Sequence, residues 1–280
     1  MKKQQIILIT GGIILLCAIY FFGNTVPPKK STATATANAV KDSVFNIDNV
    51  LATTKSRLTP EQHTRVEQLE NSIVRGDVKQ QKANVYKQLA SFYRDTAHLL
   101  LPYAYYTGEA AKLENSEKTL TFAARFFLES ARSQHDEGLK KWMAKESKQL
   151  FEKALVLNPN SDSLKVGLGS CSFYGAADNP MQGIMMIREV VERDPSNMYA
   201  QYMLGVGSLM SGQLDRAIVR FSLVAEKQPD NVEVSIMLAE AYERKGDKPN
   251  AIKWYEAVKA KVNNPDIVQE LDHRIQDLKK

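Results

Sequence analysis

The sequence predicts an all-α protein: a solenoid of stacked helical hairpins behind one N-terminal transmembrane helix. Three observations predict it. From Thr59 onward apolar residues recur at helical spacing, segment after segment, with short Gly, Pro or Asn punctuation and nothing that reads as a strand array. The last third of the chain matches itself when it is shifted so that Leu204 falls on Leu238. Near the start, residues 6–22 carry no charge and are framed by lysines on both sides.

Composition agrees. With 280 residues, 44% of them apolar and 25% charged, the chain resembles a packed globular protein and excludes a disordered or collagen-like one. Cys17 and Cys171 lie far apart, Cys17 inside the apolar run, which excludes a disulfide framework. The net charge is +5, but Lys2, Lys3, Lys29 and Lys30 supply +4 of it with no acid between them. The rest of the chain holds all 32 acids and is close to neutral. A near-neutral body does not provide the basic stripe with interleaved aromatics that nucleic acid requires, so no nucleic-acid partner is expected.

The elements follow in order. Residues 1–5 are a short flank and 6–22 an uncleaved signal anchor. At about 1.5 Å per residue this run spans roughly 25 Å, near the lower limit for a bilayer, and Tyr20 and the flanking lysines can reach the interface. A cleaved signal peptide is the rival, but the small-residue site Ala37-Asn38-Ala39 lies far downstream of Phe22. A lipid-modified Cys17 is disfavoured by Leu16 before it and apolar residues after it. The lysines nearly balance across the run; the short N-terminus is expected inside and the bulk of the chain exported, into the periplasm if the source is Gram-negative. Residues 23–58, rich in Ser, Thr, Ala, Asn and Pro, read as a flexible linker. Val44-Phe45-Asn46-Ile47 is an apolar island within it that either docks or idles.

Residues 59–160 form a divergent helical region. Thr59 caps a helix that starts at Pro60, shows Val66, Leu69 and Ile73 on one face and stops at Gly76. Leu89, Ala90 and Tyr93 face Ala104, Gly108 and Ala111 in a weak pair; Ala124 and Phe127 face Ser147, Phe151 and Ala154 in a longer one. That longer pair has extra chain between its halves amounting to about three helical turns, so lengthened helices would preserve the facing.

Residues 161–264 hold three repeats. Leu204-Gly205, Ser208, Gly212, Ala217, Phe221, Val224 and Pro229 stand one period ahead of Leu238-Ala239, Tyr242, Gly246, Ala251, Tyr255, Val258 and Asn263. Leu168-Gly169, Gly183, Ile187, Val190 and Pro195 make a further copy, two residues longer between its helices. The small residues let two antiparallel helices approach, and Phe221 and Tyr255 fill the groove beside them. In residues 265–280 Ile267, Leu271, Ile275 and Leu278 give a capping helix one apolar face.

This pattern resembles the tetratricopeptide repeat family: a large residue, then Leu-Gly, an aromatic, a small residue, an aromatic and a closing Pro over a period of about 34 residues. The resemblance implies a right-handed α-solenoid without enzymatic activity, cofactor or metal, whose first helices line a concave face that binds other proteins or peptides. Carried over by position, that groove is Ser163, Val166, Ser170 and Phe173, then Tyr199, Tyr202, Val206 and Leu209, then Glu233, Ile236 and Glu240. The lysine, arginine and asparagine clamp of the family's chaperone-tail binders is missing from these positions. The bland alternative is that Tyr202 and Val206 pack against neighbouring helices.

Other chemistry finds little support. No phosphate-binding Gly-x-x-x-x-Gly-Lys loop occurs; the glycines of 167–175 sit on a repeat helix. His63, His98, His135 and His273 are scattered and read as surface residues. Cys171 reads as a buried structural thiol. The aromatic stretch 99–106 with Phe122, Phe126 and Phe127 is core, with a second docking patch if rings are exposed. The expected function is a membrane-tethered scaffold or adaptor assisting assembly or chaperoning; the alternatives are a structural spacer and an enzyme with an unrecognised site.

Overall fold

The computed structural model describes residues 45–75, 79–176 and 180–280, with the side chains of 73–75 outside that set. Met1–Ser43 and Val44–Lys280 are separate units, and the helices described belong to the second. The expected anchor, with Cys17 and the lysines beside it, lies outside the described residues, as do the side chain of Ile73 and Gly76. Among the described residues no helix is long and apolar enough to cross a membrane.

The described residues are helical throughout, with no strand. In chain order the helices are α1 (Ile47–Lys55), α2 (Pro60–Arg75), α3 (Lys79–Asp95), α4 (Leu100–Glu114), α5 (Glu117–Arg132), α6 (Glu137–Leu157), α7 (Asp162–Cys171), α8 (Pro180–Arg193), α9 (Met198–Met210), α10 (Leu214–Lys227), α11 (Val232–Lys245), α12 (Lys248–Lys259) and α13 (Pro265–Lys279). The hairpins α3–α4, α5–α6, α7–α8, α9–α10 and α11–α12 carry the main contacts, and each packs on the next through its second helix. This is the layered arrangement of a solenoid, in which each unit buries its apolar face only against neighbours.

Local chemistry sets the junctions. Asn158-Pro159, Asp194-Pro195 and Gln228-Pro229 open turns in which the backbone N–H groups of Ser161, Asn197 and Asn231 donate to the carbonyls of Asn158, Asp194 and Gln228 at 3.3, 3.1 and 3.0 Å. The same Ser161, Asn197 and Asn231 then cap α7, α9 and α11 by accepting from the N–H groups of Leu164, Ala200 and Val234. Proline sets the turn and the next polar side chain starts the helix. Gly212 and Gly246 are left-handed, with φ of +73° and +82°, at the turns inside two successive hairpins. Thr59 and Gln62 form a reciprocal capping box before α2, each backbone N–H reaching the other's side-chain oxygen.

Between the helices the expected small–large complementarity is present. A Cβ on Gly205 would stand 2.5 Å from a ring carbon of Phe221, and both residues are buried. Ala239, Ala251 and Tyr255 are buried together one unit later. The lengthened pair is real: α6 has 21 residues against 14 in α10, and Ala124, Phe127, Ser147, Phe151 and Ala154 are all buried. The Ser147 hydroxyl donates to the Ala124 carbonyl at 2.7 Å, fixing the register of α5 on α6. Leu89, Ala90, Tyr93, Ala104, Gly108 and Ala111 are likewise buried between α3 and α4.

The structure departs from expectation in two places. The linker of 23–58 does not extend to its expected end. Asn46 accepts from the N–H of Asp48 at 2.8 Å and starts α1, whose Leu51 is buried in one cluster with Val66 and Leu69. Two local features decide this: a cap and a single leucine that finds an apolar receptor on α2. The island just before it docks, because Phe45 packs on Trp142 of α6 at 5.3 Å between ring centroids. The two extra residues of the 161–195 copy lie between its helices, where a short 3₁₀ turn (Ser172–Tyr174) and left-handed Gly175 take them up. In α13 Leu271 and Ile275 are buried, but Ile267 is 44% exposed, since the cap meets α12 only beyond its first turn.

Candidate functional site

Side chains from α5, α7, α9 and α11 converge on one face. Arg125 of α5 donates to the Ser163 hydroxyl of α7 at 2.6 Å, and its guanidinium lies 6.0 Å from the ring centroid of Tyr199 on α9. Two turns further along α5, Arg132 pairs with Glu233 of α11 and, at 3.4 Å, with Glu129. Glu233 also accepts from the Tyr202 hydroxyl at 2.7 Å. Arg125, Glu129, Ser163, Asn197 and Tyr199 bound a hollow of about 420 Å³.

The protonation states follow from burial. Desolvation pushes the Tyr199 hydroxyl up to about 12, with Arg125 opposing. Burial, then the hydrogen bond to Glu233, holds Tyr202 still higher; burial does the same for Tyr174 beneath, with Arg132 opposing. Arg132 loses water, but Tyr202 and Glu233 outweigh that loss and keep its guanidinium firmly charged. At neutral pH Tyr199 therefore keeps its hydroxyl proton and Arg132 its charge.

The expected groove residues divide. Tyr199, Phe173, Ile236 and Glu240 are partly exposed, as is Ser163, and Glu233 is exposed. Val166, Ser170, Tyr202, Val206 and Leu209 are buried, which for Tyr202 and Val206 is the alternative of packing against neighbouring helices. Ser170 donates its hydroxyl back to the carbonyl of Val166 one turn earlier, and Tyr202 packs its ring on Phe221 at 5.8 Å with only its hydroxyl turned to Glu233. The cause is the close approach of successive first helices, which leaves room for the outermost residues alone. Reasoning by repeat position missed Arg125, Glu129 and Arg132, because α5 belongs to the divergent region. A signal existed: the two arginines lie two turns apart on one helical face, with a glutamate between.

Cys171 is buried, its thiol donating towards the Ser147 hydroxyl and the Gly167 carbonyl, each at 3.3 Å, and desolvation pushes it up to about 12. His98, His135 and His273 are exposed and His63 partly so. Among the described residues no group of three or more His, Cys, Asp or Glu is placed to hold a metal ion. In the aromatic stretch Tyr106 and Phe127 are core, and Phe122 is 55% exposed.

Residues 208–271 match the sequence model of the tetratricopeptide repeat. That segment covers α10 to α12 and the turns between them. Among solved structures, the chain is similar to PilW, titled a widely conserved type IV pilus biogenesis factor, at 16% identity over 70% of this chain and 92% of that one, TM-score 0.47. It is similar to YrrB, titled a TPR protein with an unusual peptide-binding site, at 18% identity over 74% and 99%, TM-score 0.41. It is also similar to MamA from Desulfovibrio magneticus RS-1, at 18% identity over 66% and 96%, TM-score 0.42.

Proposed function

We propose that this protein is a scaffold or adaptor tethered to the membrane by residues 6–22, with the repeat body on the exported side, and that it binds a protein segment in the hollow of the first helices. The observation that carries the proposal is the convergence of Arg125, Glu129, Ser163 and Tyr199 on a recess bounded by three helices, with the Arg132–Glu233 pair linked to it through Glu129. A guanidinium held beside a ring face suits a peptide backbone or an acidic side chain. Assembly or chaperoning beside the membrane is the role that fits a tethered binding body.

The test places a photoreactive benzoylphenylalanine at Ser163 in the full chain in its native membrane. A recurrent protein adduct that disappears in Arg125→Glu and Tyr199→Ala supports the hollow; no adduct overturns it. Protease accessibility of the body in intact and in permeabilised cells checks the tether and its sidedness.

A second reading has its own observation. The Arg132–Glu233 pair and the Tyr202 hydroxyl tie α5, α9 and α11 together across this face, which a structural spacer would also need. In that case Arg132→Ala lowers stability and leaves every adduct unchanged.

A further inference from the structure

The opposite side of α9 carries a second groove, larger than the first. α8 and α10 stand side by side over α9 with little direct contact between them, leaving a trough of about 710 Å³. Its lining on α9 is Gln201, Leu204 and Ser208, about half a turn round the helix from Tyr199, Tyr202 and Val206. The two recesses therefore open on opposite sides of the same hairpin. Ile184 and Leu223 supply apolar walls, Leu204 is a buried floor, and Val219 on the rim is 69% exposed.

The charges in this trough are unbalanced. Arg188, Arg216 and Arg220 line it, and no carboxylate among the described residues pairs with any of them. Arg220 donates to the Gln201 side-chain oxygen, which Gln201 fixes by donating its own amide to the Pro195 carbonyl at 2.9 Å; Arg216 donates to Gln213 at 2.6 Å. The acid in the wall, Asp215, is turned to Lys245 at 2.7 Å. Burial and the nearby charge of Arg188 both lower the affinity of Arg220 for its proton. Three guanidinium groups beside an exposed apolar rim are complementary to a surface that brings carboxylates next to aliphatic side chains.

We propose that the trough between α8 and α10 is a docking site for an acidic amphipathic segment of a partner protein. Its carboxylates pair with Arg188, Arg216 and Arg220, and its aliphatic side chains cover Val219, Ile184 and Leu223. The chain's own residues 1–44 are the wrong occupant, because they carry five lysines and one acid. A lipid surface is disfavoured by shape, since a flat array of headgroups cannot fill a recess whose floor lies between two helices.

The experiment uses the full chain in phosphatidylcholine nanodiscs and two capped, fluorescein-labelled Leu/Glu peptides of four helical turns, one with helical and one with alternating spacing, and their Leu/Lys counterparts. Anisotropy gives affinity, and amide shifts at Gly207, Ser208 and Val219 give location. One Leu/Glu peptide is expected to bind at the trough and to weaken at least tenfold in Arg188→Glu/Arg216→Glu, which in turn gains affinity for the matching Leu/Lys peptide. Both arginines are on the surface of their helices, and that reversal shows the double variant to be folded. Val219→Ser is expected to cost a few-fold. The proposal is overturned if neither acidic peptide binds, if charge reversal leaves binding unchanged, or if the shifts map to the hollow near Tyr199. It is also overturned if millimolar phosphate displaces the peptide, if phosphatidylglycerol nanodiscs alone produce the shifts, or if self-association of the chain accounts for them.

Discussion

The hairpins α9–α10 and α11–α12 and the region from α5 to α8 solve the same packing problem by different connections. In the regular pair, Gly205 of the first helix receives Phe221 of the second, within one hairpin. In the irregular region Gly167 of α7 receives Phe151 of α6, from the preceding hairpin, and its added Cβ would lie 2.4 Å from the ring. Gly108 of α4 meets Phe127 of α5 in the same way, at 2.8 Å. Within α7–α8 no ring intervenes at all: Gly169 and Gly183 bring the two backbones together, and a Cβ on Gly183 would sit 2.2 Å from the Gly169 carbonyl oxygen. The physics is one small residue beneath one large one, or two small ones back to back. Only the first arrangement leaves a fixed sequence period.

The largest expected effects test whether the two regions are equivalent. Phe151→Ala and Phe221→Ala each empty a fully buried ring site and are expected to cost about 3–5 kcal/mol. Hydrogen exchange should localise the loss to α5–α8 in the first case and α9–α12 in the second, because each unit leans on its neighbours alone. A uniform loss in both variants would break the comparison. Next comes Gly183→Ala. Its Cβ meets a backbone oxygen that cannot rotate away, so about 3 kcal/mol is expected, more than for Gly205→Ala, where the obstacle is a ring; thermal melts rank the two.

Ser147→Ala is expected to cost about 1–2 kcal/mol by urea titration, since it removes a buried hydrogen bond in the irregular region that the repeats have no counterpart for. Cys171 sharpens the same point. Its thiol is raised from 9.0 to about 12 by burial, so the folded state keeps the proton that the unfolded chain releases. Its contribution to stability is full below about pH 9 and declines as pH rises towards 12. In a Cys17→Ser background iodoacetamide should leave Cys171 unlabelled at pH 8 until denaturant is added. The smallest effect is at the edge: Phe45→Ala removes one half-buried ring contact with Trp142 and should cost about 1 kcal/mol, read as faster exchange in α1 alone.

Much of the fold was legible because its causes are local. Pro159, Pro195 and Pro229 with the capping residues after them mark the last three passages between hairpins, and the surplus chain between Ala124 and Ser147 announces longer helices without naming a partner. The candidate site was half legible. Tyr199 and Glu233 follow from repeat position, but Arg125 and Arg132 reach them from two and three hairpins earlier in the chain, a convergence no period encodes. α1 was missed because nine residues with one buried leucine carry almost no periodic signal.

What the sequence by itself determined is the helical class, the repeating hairpin unit, its turns and its small–large pairs, since each depends on contacts between residues close in the chain. Which faces remain open was decided by the tertiary structure alone. How near successive first helices approach buries Val166, Tyr202, Val206 and Leu209, and how far α8 and α10 stand apart leaves three arginines around a trough. Both spacings are set by the packing of whole units on one another, a sum over many side chains that no single motif contains.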